Sequence, residues 1–234
     1  MRTRGTRMRL SLFAVVTALL AACLTSCVGS RTSGHPDSAE ADAALLDAVT
    51  AEDVDGVRQA LEAGADVDAR GESRRTALLL ATRSNSLQVA TALLEAGADP
   101  DAKDSIEDSA FLYAGAEGLD EILTATLAHG ADVTSTNRYG GTALIPAAEH
   151  GHVSTVRILL NAGVPVNHVN DLSWTALHEA IVLGDGSQDH IETVRLLLDA
   201  GADVTIADGQ GVLPRELAEE RGYTEIVALI DAAN

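Results

Sequence analysis

The sequence predicts an all-α repeat solenoid, and three periodic features predict it. Glycines stand at Gly64, Gly97, Gly130, Gly163 and Gly201, separated by 33, 33, 33 and 38 residues. Each closes a similar phrase, such as Leu61-Glu-Ala-Gly-Ala-Asp66, Leu94-Glu-Ala-Gly-Ala-Asp99 and Leu198-Asp-Ala-Gly-Ala-Asp203. Hydroxyl residues Thr76, Ser109, Thr142 and Thr175 recur on the same 33-residue step, each opening an apolar run. Within the runs, apolar residues fall at i, i+3 and i+4, as Val156, Leu159 and Leu160 do, which is the stripe of a helix with one buried face. Self-similarity at such a period marks a stacked array, in which each unit buries its apolar face against its neighbours.

The chain opens with a different kind of segment. Arg2, Arg4, Arg7 and Arg9 precede the apolar run Leu10–Ala22, and no acidic residue does. At 13 residues the run is shorter than the roughly 20 needed to cross a bilayer as a helix, and it fits a secretory signal. No adjacent arginine pair precedes it, which favours the general secretory route. Leu20-Ala-Ala-Cys23 and Leu24-Thr-Ser-Cys27 both resemble the bacterial lipoprotein box, in which the cysteine is lipidated and becomes the new N-terminus. Cys23 follows the more typical small residues; cleavage before Cys27 leaves no orphan thiol. These are the only cysteines, so a disulfide framework and a catalytic thiol are excluded. Residues 1–27 thus read as a lipoprotein signal, residues 28–40 as a polar tether, and residues 41–234 as the array.

Each unit of the array carries two short helical patterns. In the fourth, Thr142 is placed to cap the first helix with its hydroxyl. Pro146 falls in the first turn, where a missing N–H is tolerated. Gly163 ends the second helix in the left-handed conformation. The second helices align at Ser86–Ala96, Leu119–His129, Val153–Ala162, Ile191–Ala200 and Thr224–Ala232. On the longer fourth step the cap position becomes Leu213, with Pro214 as a rigid start. The extra five residues lie within Leu183-Gly-Asp-Gly-Ser-Gln-Asp189, in the turn between two helices. Two readings stand for Asp185 and Asp189 there, a structural role or a cation, although the calcium-loop pattern is absent.

The stretch Asn137–Asn167, with Thr175-Ala-Leu-His178, resembles the ankyrin repeat, and the resemblance covers about residues 41–234. It departs where the proline of the family's Thr-Pro-Leu-His motif is alanine, and where its turn glycine is replaced by Arg74, Glu107 and Ser173. The resemblance implies about six helix–turn–helix units including two atypical end caps, with β-hairpins projecting between units. It implies that hairpin tips and inner helices line a concave binding groove. The tips here offer Glu72, Arg74 and Arg75; Ile106, Glu107 and Asp108; Arg138 and Tyr139; and Asp171, Leu172 and Trp174. Trp and Tyr are enriched among residues that carry interface energy. Trp174, the only tryptophan, is either part of an aromatic contact patch with Tyr139 or folded back on its own hairpin. The family's use of the histidine at His178 implies a bond to neighbouring backbone, and the same structural role is expected of His152 and His190. His150 and His152 lack a third ligand in their motif, so no zinc site is assigned.

Formal net charge is −19, and without the first nine residues the chain has 12 basic against 35 acidic residues. Such a surface repels nucleic acid and anionic lipid and favours basic partners. No nucleophile–base–acid set, phosphate loop or metal-ligand cluster is present, and the carboxylates read as solvent-facing. The expectation is therefore a non-enzymatic scaffold without cofactor or metal. It would bind an unidentified protein through its tips and groove, and sit lipid-anchored outside the cytoplasm, at the cell surface or in the periplasm. An inhibitor or immunity protein against a secreted or periplasmic enzyme or toxin is the alternative, its acidity suited to steering a basic target.

Overall fold

The computed structural model describes residues 38–233. Cys23, Cys27, the signal segment and most of the tether lie outside the described residues. Within them twelve α-helices pair into six units: α1 (Ser38–Thr50) with α2 (Val54–Glu62), α3 (Ala77–Arg83) with α4 (Leu87–Glu95), α5 (Ala110–Ala116) with α6 (Asp120–Ala128), α7 (Leu144–Glu149) with α8 (Val153–Asn161), α9 (Ala176–Val182) with α10 (Gln188–Asp199), and α11 (Pro214–Glu220) with α12 (Thr224–Ala233). The odd-numbered helices pack in sequence to form an inner layer, and the even-numbered helices form an outer one.

The period read from the sequence is the period of the core. Leu45, Leu78, Phe111, Leu144 and Leu177 step by 33 residues along the inner layer and are all fully buried. Val57, Ala90, Leu123 and Val156 do the same along the outer layer, and Val194 continues the column after the longer 38-residue step, beside Leu93, Leu159 and Leu197. Each residue of such a column meets its counterpart in the next unit, so the repeats stabilise one another rather than a common centre. Leu160, expected in the stripe, is only half-buried.

The recurrent glycines end the outer helices. Gly64, Gly97, Gly130, Gly163 and Gly201 have φ of 95°, 94°, 87°, 87° and 88°. The residue after each donates back into the last turn: Ala65 N–H to the Ala60 carbonyl at 3.1 Å, Val164 N–H to that of Leu159 at 3.1 Å. This satisfies carbonyls the helix end leaves free. A Cβ at any of these glycines would meet open space, so the left-handed backbone alone selects glycine.

Four details differ from the sequence reading. Helix α1 begins at Ser38, so the last residues assigned to the tether form its first turn, with Glu40 near the positive end of the helix dipole. Helix α10 begins at Gln188 instead of Ile191, so the end of the insertion, Gln188 and Asp189, joins His190 in lengthening it to 12 residues. The projecting segments are loops: among the described residues the only β pairing is an isolated bridge between Arg70 and Thr76. Thr142 does not cap its helix. Thr76 and Ser109 accept from the N–H three residues on, both at 3.2 Å, whereas the Thr142 hydroxyl is buried without a partner. Pro146 is the reason. In the other units the Thr or Ser carbonyl accepts from the N–H four residues on, as Thr76 does from Leu80 at 3.0 Å. Pro146 has no N–H, so Ile145 N–H takes the Thr142 carbonyl instead, at 3.1 Å, and is lost to the hydroxyl.

Candidate protein-binding groove

Five-residue loops project ahead of the inner helices, and in all but the first, which begins with Gly71, the first residue organises them. Asp104 Oδ1 accepts from the N–H groups of Ile106 and Asp108 at 2.9 and 3.1 Å. Asn137 does the same for Tyr139 and Gly141, Asn170 for Leu172 and Trp174, and Asp208 for Gln210 and Val212. One side chain thus satisfies two loop amides, and the side chains of Ile106, Tyr139 and Leu172 carry no part of this bonding. The fourth loop position is left-handed throughout: Arg74 at φ 60°, Glu107 at 64°, Gly140 at 69°, Ser173 at 64° and Gly211 at 84°. The three departures from the family's glycine therefore hold non-glycine residues in a conformation disfavoured by about 1–2 kcal/mol.

Neighbouring loops also bond to each other. Ser105 N–H donates to the Ser73 carbonyl and Asp171 N–H to the Tyr139 carbonyl, both at 2.9 Å. The Arg70 guanidinium reaches the Lys103 carbonyl and the Lys103 ammonium the Thr136 carbonyl, each at 2.6 Å and each 33 residues along the chain.

On this frame Ile106, Tyr139 and Leu172 occupy the same position of three successive loops. They are 43%, 52% and 55% exposed, and together they form an apolar ladder on the rim. Trp174 lies one step inside it, half-buried beside Thr175. The Arg138 guanidinium lies 4.7 Å from the Tyr139 ring centroid and 3.4 Å from Asp108 of the preceding loop. Arg75 stands 3.6 Å from the buried Asp104 carboxylate, an ion pair too long for a hydrogen bond. Arg74 is exposed, and Asp171 packs against Gly140, where a Cβ would be 2.7 Å from its carboxylate.

Behind the tips a cavity of about 220 Å³ opens between the third and fourth units, lined among others by Tyr113, Glu117, Tyr139, Pro146 and Glu149. The groove is electrostatically two-ended. Around Asp108 stand Arg75, Arg83 and Arg138, and the Arg83 guanidinium lies 4.6 Å from the Tyr113 centroid. Glu117 and Glu149, by contrast, have no ion-pair partner among the described residues. Glu149 also borders Glu179, which is 4% exposed and accepts from the Asn170 amide at 3.0 Å. Burial, and then the charge of Glu149, push the Glu179 carboxyl up to about 7. The expectation that carboxylates all face solvent is thus corrected at Glu179, and at Asp104, which is 6% exposed. Each is buried because a groove-side or loop amide takes its oxygen.

The opposite rim, at the turns between paired helices, carries the histidines. His190 bonds Asp185 at 2.8 Å, Ser187 at 3.1 Å and the Glu149 carbonyl at 2.9 Å. Its ring lies over Gly151, while that of His152 lies over Gly118 and that of Tyr223 over Gly186. Tyr223 also donates to the Gly184 carbonyl at 3.0 Å. The Gly-Asp insertion is thus bound on both sides. The Ser187 hydroxyl, then its N–H and His190, hold the Asp185 carboxyl down at about 2. His178 accepts at Nδ1 from Thr175 N–H at 3.2 Å and meets its hydroxyl at 2.9 Å. Burial lowers its pKa while the Ile206 backbone opposes this; its Nε2 completes no hydrogen bond of good geometry. Among the described residues no three His, Cys, Asp or Glu side chains converge as metal ligands.

Sequence reasoning missed a second use of acidity. Asp42, Asp68, Asp101 and Asn167 each accept from the N–H of an aspartate in the following unit: Asp66 at 2.7 Å, Asp99 at 3.0 Å, Asp132 at 2.6 Å and Asp203 at 2.8 Å. Where the following residue is Pro165, with no N–H to offer, the acceptor position holds Thr134 instead. That covariation along one chain was visible in the sequence, but its meaning required knowing which residues face each other across a unit.

A stack of helix pairs whose loops are closed by their own first residue, with variable side chains outward, defines a repeat scaffold of the binding kind. The family model for ankyrin repeats, in three copies, matches residues 13–104 and 111–208. An ankyrin repeat domain from Acinetobacter baumannii AYE is 54% identical with a TM-score of 0.79; the match covers 81% of this chain and 96% of that one. The ankyrin repeat protein EF0377 is 40% identical with a TM-score of 0.80, covering 82% of this chain and 98% of that one. No curated protein matches the chain. The chain belongs to the ankyrin repeat family, whose members generally mediate protein–protein interaction and are generally non-enzymatic scaffolds.

Proposed function

We propose that this protein is a non-enzymatic protein-binding scaffold, lipid-anchored outside the cytoplasm, that recognises its partner through the loop tips and the groove beside them. The observation that carries the binding reading is the ladder of Ile106, Tyr139 and Leu172. Three large apolar side chains stand exposed in register on loops whose hydrogen bonds do not involve them. Contiguous apolar surface of this kind marks interaction sites. Arg74, Arg75, Arg138, Asp171 and Trp174 complete the proposed contact surface. The anchoring reading rests on the sequence around Cys23 and Cys27, and a lipid on such a cysteine attaches a protein without a spanning helix.

Crosslinking in intact cells followed by purification of the tagged chain tests the binding reading. Partner recovery should fall at least tenfold in the Tyr139→Ser/Leu172→Ser double variant, with unchanged melting temperature. Equal recovery would move the site off the tips. For the anchor, intact mass of the native protein should show a diacylglyceryl cysteine at the N-terminus. A mature chain beginning at any other residue type would exclude it.

A further inference from the structure

The cavity between the third and fourth units combines three properties that select one kind of occupant. Its volume of about 220 Å³ lies below the roughly 300–1,000 Å³ of pockets for drug-sized ligands, and suits a single side chain. Its two tyrosines are surfaces that accept guanidinium: Tyr113 already holds Arg83 and Tyr139 holds Arg138, at 4.6 and 4.7 Å from the ring centroids. Of its three carboxylates, Asp108 is paired with Arg138, which also lines the cavity, and the other two are uncompensated. Glu117 and Glu149 form no ion pair among the described residues, and Glu149 stands against the buried Glu179. We infer that this cavity is an anchoring subsite for one arginine side chain of the partner polypeptide, its stem along Tyr113, Tyr139 and Pro146 and its guanidinium between Glu117 and Glu149.

The chemistry favours arginine. A planar guanidinium stacks on aromatic surface and bonds carboxylates in a fork, which a lysine ammonium cannot do. The like-charged pair gives the site a reason to bind. Glu149 faces a second carboxyl, Glu179, which burial and then the Glu149 charge push up to about 7 with no cation against it. An arriving guanidinium supplies that cation and lets Glu179 ionise, so binding below neutral pH should release a proton. On Glu179 the facing groups are Glu149 from α7 and the amide of Asn170.

This inference rests on the groove reading above but has a separate test. The full chain in mild detergent is titrated by calorimetry at pH 6.5 with the capped tripeptide Ac-Gly-Arg-Gly-NH2 and with its neutral citrulline counterpart. The arginine peptide should bind saturably, and the citrulline peptide at least tenfold more weakly. Glu149→Gln should weaken the arginine peptide at least tenfold without changing the melting temperature. Repeating the titration in buffers of different ionisation enthalpy should show proton release, which Glu179→Gln abolishes. Equal affinity for the two peptides, no saturable heat, or wild-type affinity in Glu149→Gln overturns the subsite. If partner capture still depends on Tyr139 and Leu172 in that case, the tip reading survives without it.

Discussion

The two rims of this solenoid, short turns within helix pairs on one side and longer loops between units on the other, use side chains in opposite ways. On the helix-turn rim, the side chains are part of the structure. His152, His190 and Tyr223 each lie over a glycine of the preceding unit, and His190 and Tyr223 also bond its carbonyls. On the projecting rim, Asp104, Asn137, Asn170 and Asp208 satisfy the loop amides from within, and the tips are left free. The difference teaches where variation is tolerated. One rim holds the register between units, and the other can change its outward residues at little cost in stability, as a recognition surface requires.

The comparison can be broken or sharpened by substitution. The layer beneath both rims sets the scale: Leu159→Ala should lower unfolding free energy by about 2–5 kcal/mol in chemical denaturation, because a fully buried leucine leaves a cavity between units. In the groove, the Glu179 carboxyl is raised above its unfolded value of 4.5. Between that value and neutrality the folded state holds the extra proton, so this group's destabilising effect is absent at low pH and develops as pH rises through about 7. Glu179→Gln mimics the protonated form and should stabilise the protein by roughly 1–3 kcal/mol at pH 8.5 relative to pH 4.5. Parallel pH profiles for variant and wild type would refute the buried acid pair.

On the helix-turn rim, Gly151→Ala forces a Cβ to 3.1 Å from the His190 ring at φ +66°. It should cost about 1–2 kcal/mol, as a left-handed backbone does for other residues. On the projecting rim, Glu107→Gly should act in the opposite direction and raise stability by about 1 kcal/mol, since φ is already +64° there. If both glycine tests change stability with the same sign, the rims are not opposites. The smallest effect is expected at Leu172→Ser, within about 0.5 kcal/mol by thermal melting, as for other exposed positions. A larger loss would make the tip part of the fold rather than of recognition.

The array, its caps and its buried columns were legible in the sequence because a 33-residue period imposes the same local chemistry on every unit. Gly163 and its counterparts announce helix ends, and Leu159 announces a buried face, through spacing alone. The insertion was legible as an interruption but not as a structure; its anchors, Glu149 and Tyr223, are distant in sequence. The tips were legible as variable positions, though Trp174 proved half-buried and Ile106, Tyr139 and Leu172 formed the exposed series.

By itself the sequence determined the class of fold, the number of units and the glycine and hydroxyl positions that punctuate them, because each follows from bonds between residues a few positions apart. Only the tertiary structure decided which acidic residues are structural, which is buried and which stand uncompensated. Asp68 and Asp66 are both aspartates near a turn. One bonds the next unit, at Asp99 N–H, and the other only its own turn. Glu149 and Glu179 become a pair because successive inner helices stack, which brings together residues 30 positions apart. Charge and burial depend on what lies across the stack, and a neighbour in space is not written in the residues on either side.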